Sequence, residues 1–391
     1  MTVKNFIFQT GHGKGIARKE IESILGESAI LAEVEDGLLV EADIDDPILL
    51  LSRMGGIVRI TEVIQSGPTR MPLNFESWVI SALTDAFEGK SGKFRYGLSI
   101  HPKAEKILKS SLIGSKKKLK ETLGNLRFVN KDFNNLSSVQ AWHEGLLKDR
   151  AIELQLFRGE ERWYMCKTLA IQDFEWYSKR DYDRPAKSAK NGMFPPKLAQ
   201  ILINLSGNEK HIFDPFCGSG TVLQEALLRG LGATGSDLMT EMVEDSRINL
   251  EWLATASGKT LDYLLFQADA TQLTINQLPV GDFAIVTETW LGPLLKKCPS
   301  PIELPKVQRE IEAVYEAFFS NLKKIAKGPI TVVFTAPYHK EGNDRHFLPN
   351  LPHILSVYTK IVQLSEHERP SMFYERKHQI VGREIWKVVV E

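Results

Sequence analysis

Only three cysteines, Cys166, Cys217 and Cys298, occur in the 391 residues, far apart and in no Cys-x-x-Cys pair. Neither a disulfide framework nor a zinc site is expected, and no other metal site is suggested. No run approaches the roughly 18 uncharged apolar residues that a membrane span requires. The start, Met1-Thr2-Val3-Lys4-Asn5, has no apolar signal core, so the expectation is a cytoplasmic protein without a membrane partner. Net charge is missing as well: 49 Lys or Arg balance 49 Asp or Glu, and the chain as a whole does not look like a nucleic-acid binder. What remains is 43% hydrophobic and 25% charged residues, the balance of an ordinary globular protein. The length suggests two or three domains, each able to bury a core.

Charge is unevenly distributed, and that matters more than its sum. Between Lys90 and Lys131 stand twelve Lys or Arg against Glu105 and Glu121 alone. Lys116, Lys117, Lys118, Lys120 and Arg127 are the densest part. One such run is commonly a solvated helix face, but a wider patch is what phosphates reward through counterion release.

Periodicity sorts the chain into two styles. Alternation at 4–9, a helical pattern at 16–25, extended runs at 29–33 and 37–41, and a helix after Asp46-Pro47 give a β-α-β-β-α order that suits a small ferredoxin-like unit. We place it at 1–65. From 66 to 170 come a helix at 78–87, a strand at 95–100, a basic helical region at 103–123, and a hairpin of 152–157 with 163–168 about Arg158-Gly159-Glu160. The polar stretch 171–191, with Pro185, reads as a linker. Beyond it, at 192–391, strands and helices alternate, which implies an α/β doubly wound parallel sheet with ligands beyond the carboxyl ends of its strands. The tail at 373–390 reads as two extended runs around Gly382, an antiparallel hairpin.

The most informative string is Ile212-Phe213-Asp214-Pro215-Phe216-Cys217-Gly218-Ser219-Gly220-Thr221. It lies where a strand meets a helix, Gly218 and Gly220 permit close backbone approach, and the helix N-terminus offers free N–H groups. Asp237 ends the next strand about twenty residues on, a spacing at which a carboxylate can bind ribose hydroxyls, and Asp269 ends the third. The ten-residue string resembles the first cofactor motif of amino-methyltransferases acting on nucleic-acid bases. That resemblance implies S-adenosylmethionine, with Asp214 near its methionine end, the Gly218 and Gly220 backbone under its ribose, Asp237 on the ribose, Asp269 at the adenine, and Pro215, Phe216 and Thr221 also in the cofactor site.

Further strings extend the likeness: Arg180-Asp181 with Arg184-Pro185, Gly192-Met193-Phe194-Pro195-Pro196-Lys197-Leu198-Ala199, and Gln379-Ile380-Val381-Gly382-Arg383-Glu384-Ile385. With Gly55-Gly56, Leu136-Ser137-Ser138 and Lys167-Thr168 in the first half, the chain resembles THUMP-domain tRNA guanosine-N2-methyltransferases of the archaeal and eukaryotic position-10 type. The resemblance implies a Rossmann-like catalytic domain, a THUMP module at 66–170 gripping the acceptor end of tRNA and, as in some members, a small activating subunit; the basic patch and, in the linker, Arg180 are expected on the RNA.

One departure from that family is marked. Its fourth strand ends in Asp-Pro-Pro-Tyr or a close variant, whereas here the register gives Thr287-Glu288-Thr289-Trp290-Leu291-Gly292. Trp290 can stack on a flipped base. Thr287 supplies no negative charge, and Glu288 is left as the carboxylate that can accept from an exocyclic amine. We expect Glu288, Trp290 and Thr287 to form the catalytic group. Cys217, inside the cofactor loop, is not expected to act as a nucleophile, because amine methylation needs no covalent intermediate. His339 and His346 read as surface-loop residues. Rival readings are a THUMP protein that binds RNA with its chemistry lost, and a methyltransferase acting on ribosomal guanine or on adenine N6.

Overall fold

The computed structural model describes residues 3–11, 13–69, 75–131, 134–186, 194–207, 210–295, 297–365, 367, 369–376 and 379–391, without the side chains of 105, 107, 108, 111–113, 116, 117 and 122. Two compact units emerge, Met1–Phe174 and Glu175–Glu391.

The first unit contains β1 (Lys4–Thr10), α1 (Lys14–Leu25), β2 (Ile30–Val34), β3 (Gly37–Ala42), α2 (Pro47–Ser52) and β4 (Ile57–Pro68). It continues through α3 (Phe75–Phe87), β5 (Phe94–His101), α4 (Glu105–Leu123), β6 (Leu126–Phe128), α5 (Ser138–His143), β7 (Ala151–Arg158) and β8 (Arg162–Ile171). The local signals act as their chemistry dictates. Asp46 caps α2 by accepting from the N–H groups of Ile48 and Leu49, and Pro47 occupies the first turn, where its missing N–H costs nothing. Gly55-Gly56 has a buried reason: both N–H groups donate to the Glu20 carboxylate at 2.8 Å, so a charge on α1 is satisfied by backbone.

β4 runs across the boundary expected at 65 and pairs antiparallel with β1 on one side and β8 on the other. Residues 1–65 and 66–170 therefore share one eight-stranded sheet, in the order β2-β3-β1-β4-β8-β7-β5-β6. Phe6, Phe8, Ile21 and Leu38 are buried beside one half of it, and Trp78, Phe87, Leu98 and Leu154 beside the other.

In the second unit, α6 (Phe174–Ser178), a π-helical turn at Lys179–Asp183 and α7 (Pro196–Ser206) precede β9 (His211–Asp214), α8 (Thr221–Leu228), β10 (Gly232–Asp237) and α9 (Thr240–Ser257). Then come β11 (Tyr263–Gln267), β12 (Ala284–Glu288), α10 (Leu304–Ile325), β13 (Ile330–Glu341), β14 (Asp344–His346), α11 (Leu351–Tyr358), β15 (Lys360–Val362), β16 (Met372–Tyr374) and β17 (Val381–Val390). The main sheet has the order β11-β10-β9-β12-β13-β17-β15. Its first five strands are parallel, while β17 is antiparallel to β13. On α10, Ile311, Tyr315, Phe318, Phe319 and Leu322 recur at helical spacing and bury against Phe334 and Trp386, which fixes the helix on that face.

Three expectations need correction. The segment 171–191 is not a free linker in its described part: Arg180 and Arg184 are 3% and 1% exposed. Arg180, expected on RNA, donates from Nε to Glu225 of α8 at 2.8 Å and lies over the Tyr177 ring. The sequence looked polar because the partners of these two arginines, Glu225 and Thr221, stand far along the chain. The antiparallel pairing expected in the tail is formed by β16 and β17, but the chain does not turn at Gly382, which lies inside β17. A Cβ there would sit 2.1 Å from the Tyr338 ring, so glycine admits the ring rather than bending the strand. His339 is no surface-loop residue either. It lies on β13, is fully buried, and burial lowers its pKa.

Candidate active site

The strand order reverses between β9 and β12: from β9 the chain proceeds outward through β10 and β11, and from β12 outward through β13. At such a reversal the flanking loops part and leave a crevice at the carboxyl ends of the strands. Asp214 ends β9 and Glu288 ends β12, so the expected cofactor and acceptor residues stand on its two sides.

The cofactor side is held by backbone. From β9 the chain turns through Pro215 and Phe216 to Gly218, at φ 52°, and Gly220, at φ 85°, left-handed conformations that glycine adopts without strain. Phe216 packs edge-on against Phe318 of α10. The Gly218 N–H donates to Asp237 Oδ2 and the Met239 N–H to Asp237 Oδ1, both at 3.0 Å. Each oxygen keeps lone-pair capacity, and a paired hydroxyl donor such as a ribose diol suits a carboxylate fixed in this way. Ser246 and Asn249 of α9 donate to the Gly218 and Ser219 carbonyls at 2.7 and 2.9 Å. A Cβ at Gly220 would meet Ser246 Oγ at 3.0 Å, so glycine here also permits α9 to approach.

Asp269 accepts from the Thr271 N–H at 2.8 Å and from Gln272 Nε2 at 3.1 Å. It shapes its own turn, and the Ala268 N–H, donating to the Asp237 carbonyl at 3.0 Å, ties that turn to the end of β10. Thr221 opens α8, but its hydroxyl accepts from Arg184 at 2.6 Å. Cys217 is buried in the loop, and burial raises its thiol pKa well above the ordinary value, which disfavours the nucleophilic thiolate.

Asp214 is fully buried. Its Oδ1 accepts from Thr287 Oγ1 at 2.6 Å and from the Phe216 N–H at 3.1 Å. Burial pushes its pKa up to about 7, with the Thr287 hydroxyl opposing the shift and the charges of Asp237 and Glu288 adding to it. The Thr287 hydroxyl is thus committed to Asp214 and withdrawn from solvent. It is a strut between β9 and β12 rather than a group that touches a substrate, correcting that part of the expected catalytic set.

On the acceptor side, Glu288 is 17% exposed and takes a hydrogen bond from Arg383 Nε of β17 at 2.5 Å. The next residue, Thr289, donates to the Thr335 carbonyl at 2.9 Å and hydrogen-bonds Tyr315 of α10. These contacts fix the turn where no proline does. Trp290 follows at 42% exposure, leaving part of its indole open to a planar ring. Arg383, Tyr315, Thr289, Ser246 and Asn249 were not picked out by sequence reasoning; only Arg383 lay in a string carrying the family likeness, and no local pattern signals the others.

Of the basic residues expected on RNA, Lys118 and Arg127 are exposed and lie 3.4 Å from Glu76 and 3.6 Å from Glu144. Exposed pairs of this kind are weak and exchange readily for other anions. Lys120 is exposed on α4. The side chains of Lys116 and Lys117, like residues Gly192 and Met193, lie outside those described.

Residues 184–340 match the family model described as UPF0020: RMKL-like, methyltransferase domain. Curated relatives named tRNA (guanine(10)-N2)-dimethyltransferase include one from Pyrococcus abyssi, 27% identical over 186 residues, 47% of this chain and 51% of that protein. Another, from Methanothermobacter thermautotrophicus, is 33% identical over 183 residues, 46% and 48% of the two. The chain spans about half the length of these curated relatives in each match. Among solved structures, TrmN from Thermus thermophilus aligns at a TM-score of 0.52 with 13% identity, covering 100% of both chains. A possible methylase from Clostridium difficile 630 aligns at 0.51 with 14% identity, covering 100% of this chain and 99% of the other. The two structures show the fold. That fold is the α/β, Rossmann-like one expected from the sequence, and the family match at 184–340 falls within its second unit. The Gly218 to Gly220 turn and the Asp237 carboxylate, held by the Gly218 and Met239 N–H groups, fit the ribose of S-adenosylmethionine. Among the described residues no helix is long and apolar enough to cross a membrane.

Proposed function

We propose that this chain transfers a methyl group from S-adenosylmethionine to the exocyclic N2 of a guanosine in tRNA, at position 10 as in the names of its relatives. What supports the reading is that Glu288 ends β12 and the glycine loop follows β9, neighbouring strands at the point where the strand order reverses. Asp237 holds the ribose hydroxyls of the cofactor, the Gly218 and Gly220 backbone lies beneath it, Asp269 borders the adenine, and the cofactor when bound supplies an electrophilic methyl group. Trp290 stacks on a base turned out of its helix, a contact worth about 1–3 kcal/mol. Glu288 accepts a hydrogen bond from the exocyclic amine, aims its lone pair, and offsets the positive charge that grows on nitrogen during transfer.

Residues 1–65 and 66–170 serve in this reading as ferredoxin-like and THUMP parts of one RNA-gripping sheet, with Lys116, Lys117, Lys118, Lys120 and Arg127 on phosphates. A small activating subunit is a further proposed partner. The test is transfer of labelled methyl groups to unmodified tRNA, followed by digestion and mass spectrometry of the nucleosides. Label in N2-methylguanosine or N2-dimethylguanosine supports the proposal and distinguishes one addition from two. Label in another nucleoside redirects it to the adenine or ribosomal alternative. No label, with and without a candidate subunit, favours an RNA-binding protein without this chemistry.

A further inference from the structure

We infer that Arg383, at the start of β17, is a positioning residue that acts through Glu288: it holds the carboxylate at the end of β12 in the orientation the acceptor role needs. The inference rests on the reaction proposed above and adds a residue that the proposed reaction does not assign.

The geometry is specific. β13 continues past the end of β12, since Glu288 lies in register with Thr335 while β13 runs on to Glu341. β17 pairs with this projecting part, setting Arg383 opposite Pro337, and β16 sets Tyr374 opposite Arg383 from the other side. Arg383 is thus fixed by strands on both flanks, and its guanidinium lies 5.8 Å from the Phe194 ring centre. Its side chain is 7% exposed and that of Glu288 is 17% exposed. The pair is largely withdrawn from water, where a charge-assisted hydrogen bond is strong and directional.

Only Nε makes the contact, and only with Oε1. Among the described residues no second donor reaches the carboxylate, so the other oxygen keeps its lone pairs for an amine. A guanidinium suits the task because its charge is permanent and its fork is rigid. It also counters a local difficulty, since Asp214 and Glu288 are acidic groups at neighbouring strand ends and a fixed cation paired with Glu288 offsets the charge of that carboxylate. Thr289 has tethers of its own to Thr335 and Tyr315, so Arg383 is not needed to hold the backbone and its effect should fall on the carboxylate.

The test compares wild type, Arg383→Gln, Arg383→Lys, Glu288→Gln and the double variant Arg383→Gln/Glu288→Gln. Methyl transfer to tRNA is measured alongside calorimetric binding of S-adenosylhomocysteine. We expect Arg383→Gln to lower kcat by about tenfold or more, with KM for tRNA and cofactor affinity within about threefold of wild type. Lysine can renew a single N–H···O bond, so Arg383→Lys should recover much of the loss. The decisive comparison is non-additivity: if Arg383 works through Glu288, adding Arg383→Gln to Glu288→Gln should cost less than about twofold more. An equal cost in both backgrounds, an unchanged kcat in Arg383→Gln, or a loss confined to KM would overturn the inference while the proposed reaction stood. An inactive wild type overturns the proposed reaction, and the inference with it, and is recognised because the whole series is then silent rather than one variant alone.

Discussion

The two sides of the crevice are built on different principles. The cofactor side is local: Gly218 meets Asp237 across 19 residues of sequence and Ser246 meets Gly218 across 28. Its donors and acceptors are largely backbone, so few side-chain types can serve and the residue pattern is tightly constrained. The acceptor side is assembled from a distance: Thr287 reaches Asp214 across 73 residues, Thr289 reaches the Thr335 carbonyl across 46, and Arg383 reaches Glu288 across 95. A side chain fixed by remote partners can change type when the partners change with it. The difference explains why the glycine loop is legible as a string whereas the turn Thr289-Trp290 after the fourth strand is not.

The largest expected effect strikes the acceptor side alone. Glu288→Gln keeps the size and one acceptor oxygen but removes the charge, and loss of preorganised electrostatic stabilisation should lower turnover by about a hundredfold or more. Cofactor and tRNA affinities, measured by calorimetry and filter binding, should stay near wild type. Full activity in this variant would remove Glu288 as acceptor and erase the division between the two sides.

Asp214 sits where the sides touch, and it should tie stability to pH. Its folded pKa of about 7 lies above the ordinary 3.8, so the folded protein binds a proton that the unfolded chain has released. Stability from this group is therefore full below about pH 4 and is lost as pH rises toward 7, at a slope of up to about 1.4 kcal/mol per pH unit. Asp214→Asn should flatten that part of the curve in urea unfolding at pH 5 and pH 8. An unaltered slope would mean that Asp214 does not titrate there. On the cofactor side, Asp237→Ala should weaken S-adenosylmethionine binding by about tenfold or more, as expected for losing hydrogen bonds to a charged acceptor. Unchanged affinity would place the cofactor elsewhere.

Much of this architecture was legible in the sequence, and the illegible parts share a cause. Hydrophobic periodicity and the glycine loop located β9, α8, β10 and α9 because each of those signals is local. Arg180 read as a surface cation, since nothing within ten residues of it announces Glu225. Gly382 read as the break between two extended runs, whereas it admits the close approach of Tyr338 from another strand, the other common meaning of a glycine within a strand. Thr287 read as a weak substitute for a catalytic carboxylate, yet its hydroxyl serves Asp214. In each case the residue type was informative and its partner was out of sight.

The smallest effect concerns the first unit, and it asks whether capturing RNA is separable from both sides of the crevice. Lys120 is exposed on α4, in a run where Lys116, Lys117 and Lys118 precede it and only Glu121 follows before Arg127. Reversing Lys116, Lys117 and Lys120 to Glu should weaken tRNA binding modestly. It should also reduce the slope of log affinity against log salt by about one unit for each phosphate that no longer meets a cation. The slope is the better measure, because a folding defect lowers affinity at every salt concentration whereas loss of counterion release changes the dependence itself. Cofactor affinity should not move, and kcat at saturating tRNA should be retained, since neither Asp237 nor Glu288 has changed. If the slope is unaltered, the run is a solvated helix face and the tRNA grip lies on another part of the first unit. If the slope falls together with kcat, the basic patch also sets how the base reaches Trp290, and capture and chemistry are coupled.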